Sequence, residues 1–158
     1  MTGVIDYWCN LFTPEAIRAC FAEQEEIRDL FRWWRMEEHL RGYSPREFVG
    51  LLDEAGVEMV LIPAAKMRSW KSQRLIWDIP IAEVAEMVEA APDRIGGLYG
   101  INPWSRMEGV RGLDDAVRRQ GFLGAHLHPY GFESGETDGA GGGIAYGEKA
   151  IRRTPPTG

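Results

Sequence analysis

What this sequence lacks narrows it first. It has two cysteines, Cys9 and Cys20, in 158 residues. That is too few for a disulfide scaffold, and the expectation is two free, reduced thiols. No apolar run approaches the ~20 residues of a membrane-spanning helix. The opening Met1-Thr2-Gly3-Val4-Ile5-Asp6 has no basic region followed by a long apolar core. A signal peptide is therefore not expected, and a cytoplasmic location is. Positive charge is not in excess: the formal net charge is −6, which argues against a general affinity for nucleic acid or anionic membrane. Trp33-Trp34-Arg35 could suggest an aromatic, basic nucleic-acid surface. However, Glu23, Glu25, Glu26, Glu37 and Glu38 are interleaved around it, so an amphipathic helix packed on a sheet is the expectation. The Gly-Gly pairs lack the strand-loop-helix context of a phosphate cradle. No Ser-His-Asp set can be assembled.

What is present is a globular composition, 44% hydrophobic and 27% charged, in a chain long enough for one domain with a core. Gly3-Val4-Ile5-Asp6 reads as a short buried strand. It leaves through Tyr7, Trp8, Cys9 and Asn10 and turns at Thr13-Pro14 into a helix. Ser44-Pro45-Arg46-Glu47 has the spacing of a capping box, and Phe48, Leu51, Leu52 and Ala55 follow at helical intervals until Gly56. Val57 to Ile62 is a nearly continuous apolar run, as a strand covered on both faces requires. Met67 to Asp78 reads as a loop or short helix. Pro80 opens a helix, and 94–101 is a third strand ending at Asn102-Pro103. A helix over 107–120 carries Val110, Leu113, Ala116 and Val117 inward and stops at Gly121. Phe122 to Pro129 is a fourth strand.

The order is β-α-β-α-β-α-β, with extra helix after the first strand. Such alternation predicts parallel strands with right-handed crossovers. The polar and aromatic residues at the strands' carboxyl ends fit a (β/α) barrel, whose chemistry sits at that end. Asp6 places a charge in a strand expected to be buried. It therefore needs a partner, either loop amides or an Arg.

Three stretches together resemble the amidohydrolase-related superfamily, in the branch that includes aminocarboxymuconate-semialdehyde decarboxylase. They are Ile5-Asp6-Tyr7-Trp8-Cys9-Asn10-Leu11-Phe12-Thr13-Pro14, the segment from Ala91-Pro92-Asp93-Arg94-Ile95 to Asn102-Pro103, and Gly121 to Gly131 with its His126-Leu127-His128-Pro129. Their order and spacing extend over residues 3–134. The resemblance implies an eight-stranded barrel holding a divalent metal, usually zinc. That metal activates water for hydrolysis or assists decarboxylation of an aromatic or unsaturated acid, the substrate being a small organic acid or amide.

Two departures bear on that chemistry. The family's first strand typically reads Ile-Asp-x-His-x-His, and here Trp8 and Asn10 stand at the two His positions. A complete barrel also takes about 250 residues, and only four strands can be counted. The fold expected is thus a partial (β/α) barrel: residues 1–134 form its N-terminal half, and a disordered or out-of-frame Gly/Pro-rich tail covers 135–158. The expected function is that of a truncated hydrolase or carboxy-lyase, inactive as this chain. The alternative is a non-enzymatic module that docks a full-length relative. Asn10, His126 and His128 are the candidate site residues, lining a pocket for a small-molecule substrate; none is assigned to metal. His126 and His128 share parity, so both point to one side of their strand. Exposed strand edges predict self-association.

Overall fold

The computed structural model describes residues 3–69, 72–129 and 132. The expected tail, 135–158, and its boundary after 134 lie outside the described residues. Among the described residues, six strands and five α-helices follow in order: β1 (Val4–Asp6), α1 (Pro14–Ile17), α2 (Glu25–Trp34), α3 (Pro45–Ala55), β2 (Val57–Pro63), β3 (Lys66–Arg68), β4 (Leu75–Asp78), α4 (Ile81–Ala90), β5 (Ile95–Gly100), α5 (Met107–Gln120) and β6 (Gly124–His126). β1, β2, β5 and β6 form one sheet in the order β1-β2-β5-β6, with every pair parallel. This is the curled, four-stranded half of a barrel that the alternation predicts.

The helix boundaries follow from local chemistry. Thr13 Oγ1 accepts a hydrogen bond from the Ala16 amide at 3.2 Å, and Pro14 takes the first helical position. Ser44 and Glu47 form the predicted capping box: the Ser44 amide donates to the Glu47 carboxylate at 2.9 Å, and Ser44 Oγ accepts from the Glu47 amide at 3.3 Å. Donation from Ser44 also holds the Glu47 carboxyl below its ordinary range. Gly56, at φ +69°, ends α3 in the left-handed region. Leu52, Val60, Ile62, Val84, Ile95 and Phe122 are the heart of the core between the helices and the sheet. Arg94 fastens the lower rim, donating to the carbonyls of Glu58 (2.8 Å) and Val57 (2.9 Å).

Several expectations are corrected. β1 is not buried: Val4, Ile5 and Asp6 are all exposed. It is an edge strand of three residues with a single neighbour, so among the described residues no second strand covers its far side. Asp6 is therefore not a buried charge, and its Oδ1 accepts the Trp8 amide at 3.0 Å, a loop-amide partner. Met67 to Asp78 is neither loop nor helix but holds an antiparallel hairpin in which Met67 faces Trp77. The helix expected around Trp33-Trp34-Arg35 is interrupted on both sides: π-helical turns at Arg18–Ala22 precede α2, Arg35 leaves it at φ +58°, and a 3-10 turn follows at Glu37–His39. Pro80 caps α4 rather than joining it.

On α5, Val110 and Val117 face outward, while Gly109 and Ala116 are buried. Close packing selects the smaller residues, since a Cβ on Gly112 would come within 2.3 Å of the Tyr99 hydroxyl. The fourth strand is shorter than expected, closing at His126.

Candidate site at the carboxyl end of the sheet

Every strand of the main sheet releases its chain at the same end, because all four run parallel. Beyond β1 the backbone stays docked along β2: the Cys9 amide donates to the Leu61 carbonyl at 2.9 Å. This carries Trp8 over the mouth of the half-barrel. At the other edge the Ile101 amide donates to the His126 carbonyl at 2.9 Å, fixing His126 beside β5.

β1 and β6 are opposite edges of the sheet. In a flat sheet, three strand spacings would hold them about 14 Å apart. Yet the Trp8 indole lies 5.3 Å from the His126 ring and 5.9 Å from the His128 ring, between centroids. The two imidazoles are 6.2 Å apart, and Trp77 from the hairpin stands 6.3 Å from His128. The sheet must curl for these contacts to exist, so the four rings mark the concave mouth.

Trp77 is itself anchored, its Nε1 donating to the buried Cys20 carbonyl at 2.6 Å. Burial lowers the His126 pKa; burial and then the neighbouring His126 lower that of His128. Both imidazoles are therefore neutral near pH 7. His126 Nδ1 is buried without a hydrogen-bond partner, so its hydrogen-bonding capacity is not used up.

Of the three predicted site residues, the structure brings His126 and His128 together. Asn10 stands at the same end of the sheet but is exposed. It is Trp8, rather than Asn10, that meets the imidazoles. Trp77 was missed, although the β-prone run Leu75-Ile76-Trp77 could have revealed the strand that carries it.

The thiolate form of Cys9 is disfavoured. Burial, with the Asp6 charge second, pushes its thiol up to about 12. Burial, with Glu83 second, pushes Cys20 up to about 11. Both are free thiols. Asn102 ends its strand as a turn residue, its Oδ1 accepting the Trp104 amide at 3.1 Å. A cleft of about 450 Å³ lies elsewhere, lined by residues of the α1 and hairpin regions such as Glu15, Arg18, Gln24 and Asp78, and contains none of the predicted site residues.

The donor set does not fit the divalent metal that the resemblance implies. Indole has no lone pair to give and an amide oxygen is a poor zinc ligand. Among the described residues, no three His, Cys, Asp or Glu side chains come together to hold an ion. No helix among them is long and apolar enough to cross a membrane.

Sheet order, parallel strands and curl define the class: an open half of a (β/α) barrel. No family profile matches the sequence, and no curated protein does. Solved structures do match. 5-Carboxyvanillate decarboxylase from Novosphingobium aromaticivorans, with manganese and 4-hydroxy-3-methoxy-5-nitrobenzoic acid bound, aligns over 83% of this chain and 43% of its own, with TM-score 0.54 and 16% identity. A mutant form of the same enzyme aligns equally well. 2,6-Dihydroxybenzoate decarboxylase from Rhizobium aligns over 81% of this chain and 39% of its own, with TM-score 0.47 and 19% identity. The chain thus spans less than half the length of these enzymes. At such identities the likeness is one of fold, and that fold is the one the superfamily resemblance implies.

Proposed function

We propose that residues 1–134 are the N-terminal half of a carboxy-lyase-like barrel, and that the mouth formed by Trp8, Asn10, His126 and His128 binds a small organic acid without turning it over. The observation that carries this reading is the packing of Trp8 against both imidazoles. An indole at a metal-ligand position fills the mouth with an aromatic surface and removes the Lewis acid that would lower a reaction barrier. Neutral imidazoles beside that surface offer hydrogen bonds to a carboxyl group.

Residue-resolved NMR with an aromatic carboxylate and its decarboxylated counterpart tests the reading. The expected result is saturable shifts at Trp8 and His126 with the acid, and no product above the blank with or without added manganese. Turnover, or an acid that leaves the Trp8 and His126 signals unmoved, contradicts it.

A further inference from the structure

The two imidazoles at the end of β6 have a use that does not depend on an acid being bound. His126 and His128 stand side by side, 6.2 Å apart between ring centroids. His126 Nδ1 is buried and, among the described residues, has no hydrogen-bond partner. A buried ring nitrogen left unpaired is costly, and a bound ion is one of the few things that relieves it.

The spacing of the rings narrows the choice of ion. A metal-bound imidazole nitrogen lies about 2.0 Å from the ion and about 1.1 Å from its own ring centre, so two rings on a straight N–metal–N line have centres about 6 Å apart. The same rings at a tetrahedral angle would approach to about 5 Å. The observed separation fits the straight line. The three ring-to-ring distances also put the point midway between the imidazoles about 4.7 Å from the centre of the Trp8 indole, inside the ~6 Å over which an aromatic ring attracts a cation.

Charge and ligand count narrow it further. Among the described residues no three His, Cys, Asp or Glu side chains come together, so no carboxylate or thiolate completes a set around these rings. Two uncharged donors leave a zinc or manganese dication short of ligands and of countercharge. A soft monovalent ion that prefers two ligands in line needs no more than such a pair, and imidazole is a ligand that suits copper.

We infer that His126 and His128 hold one copper(I) ion between their imidazoles, with the Trp8 indole against it. This site is not the divalent centre that the superfamily resemblance implies, whose first-strand positions are those of Trp8 and Asn10. Coordination through Nδ1 puts the proton of His126 on Nε2, so the ring remains a hydrogen-bond donor and an acid can bind beside the ion.

Silver(I), a redox-inert ion of the same charge and coordination preference, tests this by residue-resolved NMR on the unmodified chain. Copper(I), kept reduced without oxygen and competed against bicinchoninate, then gives the affinity. One equivalent of silver is expected to saturate the shifts of the His126 and His128 ring nitrogens, with the Trp8 indole signals moving in step. His126→Phe keeps a ring, removes the ligand and is expected to weaken copper(I) binding at least tenfold. Cys9→Ala with Cys20→Ala removes both thiols and is expected to keep copper(I) affinity within twofold. Circular dichroism verifies the fold of each variant, and the NMR result on the unmodified chain decides the matter where a variant does not fold. Silver shifts confined to the cysteines or to His39 overturn the inference, as does no saturable shift at all. So does copper(I) affinity unchanged in folded His126→Phe, or lost in the folded thiol-free variant, or matched by zinc. Copper(I) held at His126 and His128 in a chain that ignores the acid defeats the proposed function and leaves this inference standing.

Discussion

Trp8 is the side chain that joins the two edges of the sheet, through its contacts with both imidazoles. At its position the resembling family carries a metal-binding His. Here an indole spans the mouth to His126 and His128, at 5.3 and 5.9 Å. Restoring both ligands with Trp8→His and Asn10→His is expected to raise zinc or manganese affinity at least tenfold, measured by calorimetry. Equal affinity in the unmodified chain would contradict the reading. The imidazole pair also makes stability depend on pH. Both pKa values lie below the ordinary histidine value in the folded chain, so the unfolded chain takes up the protons first. Stability is then full above about pH 6.5 and falls as the pH drops through the histidine range. A denaturant midpoint that rises between pH 7 and 5 would refute this. The half-buried Cys9 and the buried Cys20 are expected to react slowly with a thiol reagent at pH 8 until the chain is denatured, and rapid labelling of Cys9 in the folded protein would refute the raised thiol pKa.

Among the elements, the helix ends and the core strands were legible because their signals are local. Thr13-Pro14, Ser44-Pro45-Arg46-Glu47 and Gly56 each determine their boundary through hydrogen bonds within one turn. Thr13→Ala is expected to cost about 1 kcal/mol in equilibrium unfolding. The β3–β4 hairpin was not legible. Its pairing is antiparallel with a register irregularity at Met67/Arg68, and β3 is only three residues long, too short for a period to show. Its worth lies in a distant contact, the Trp77 bond to the Cys20 carbonyl, which a reading of neighbouring residues cannot reach. Trp77→Phe keeps the ring and leaves that buried carbonyl unpaired, at an expected cost of about 1–3 kcal/mol. A neutral substitution would mean the bond contributes nothing. The inward face of α5 was misread for a related reason: apolar content favoured Val110 and Val117, but the buried positions are Gly109 and Ala116, and Tyr99 leaves no room for a side chain at Gly112. Exposure of β1 was hidden too, because Val4-Ile5 reads as buried whether or not a further strand covers it.

At the scale of the whole molecule, the sheet is half of a barrel, and the candidate site is the part of the mouth that half can build. That the strand ends would gather on one rim was readable, since alternation alone implies parallel strands. That Trp8 would close across that rim was not, because it depends on the curl of the sheet. The candidate site depends on that curl and on the contacts it permits. Nuclear Overhauser contacts of the Trp8 indole in the folded chain test it most directly. The prediction is cross-peaks from Trp8 to the ring protons of both His126 and His128, alongside the β2–β5 contacts that report an intact sheet. Intact β2–β5 contacts with no Trp8–imidazole cross-peak would contradict the curled half-barrel and the site built on it.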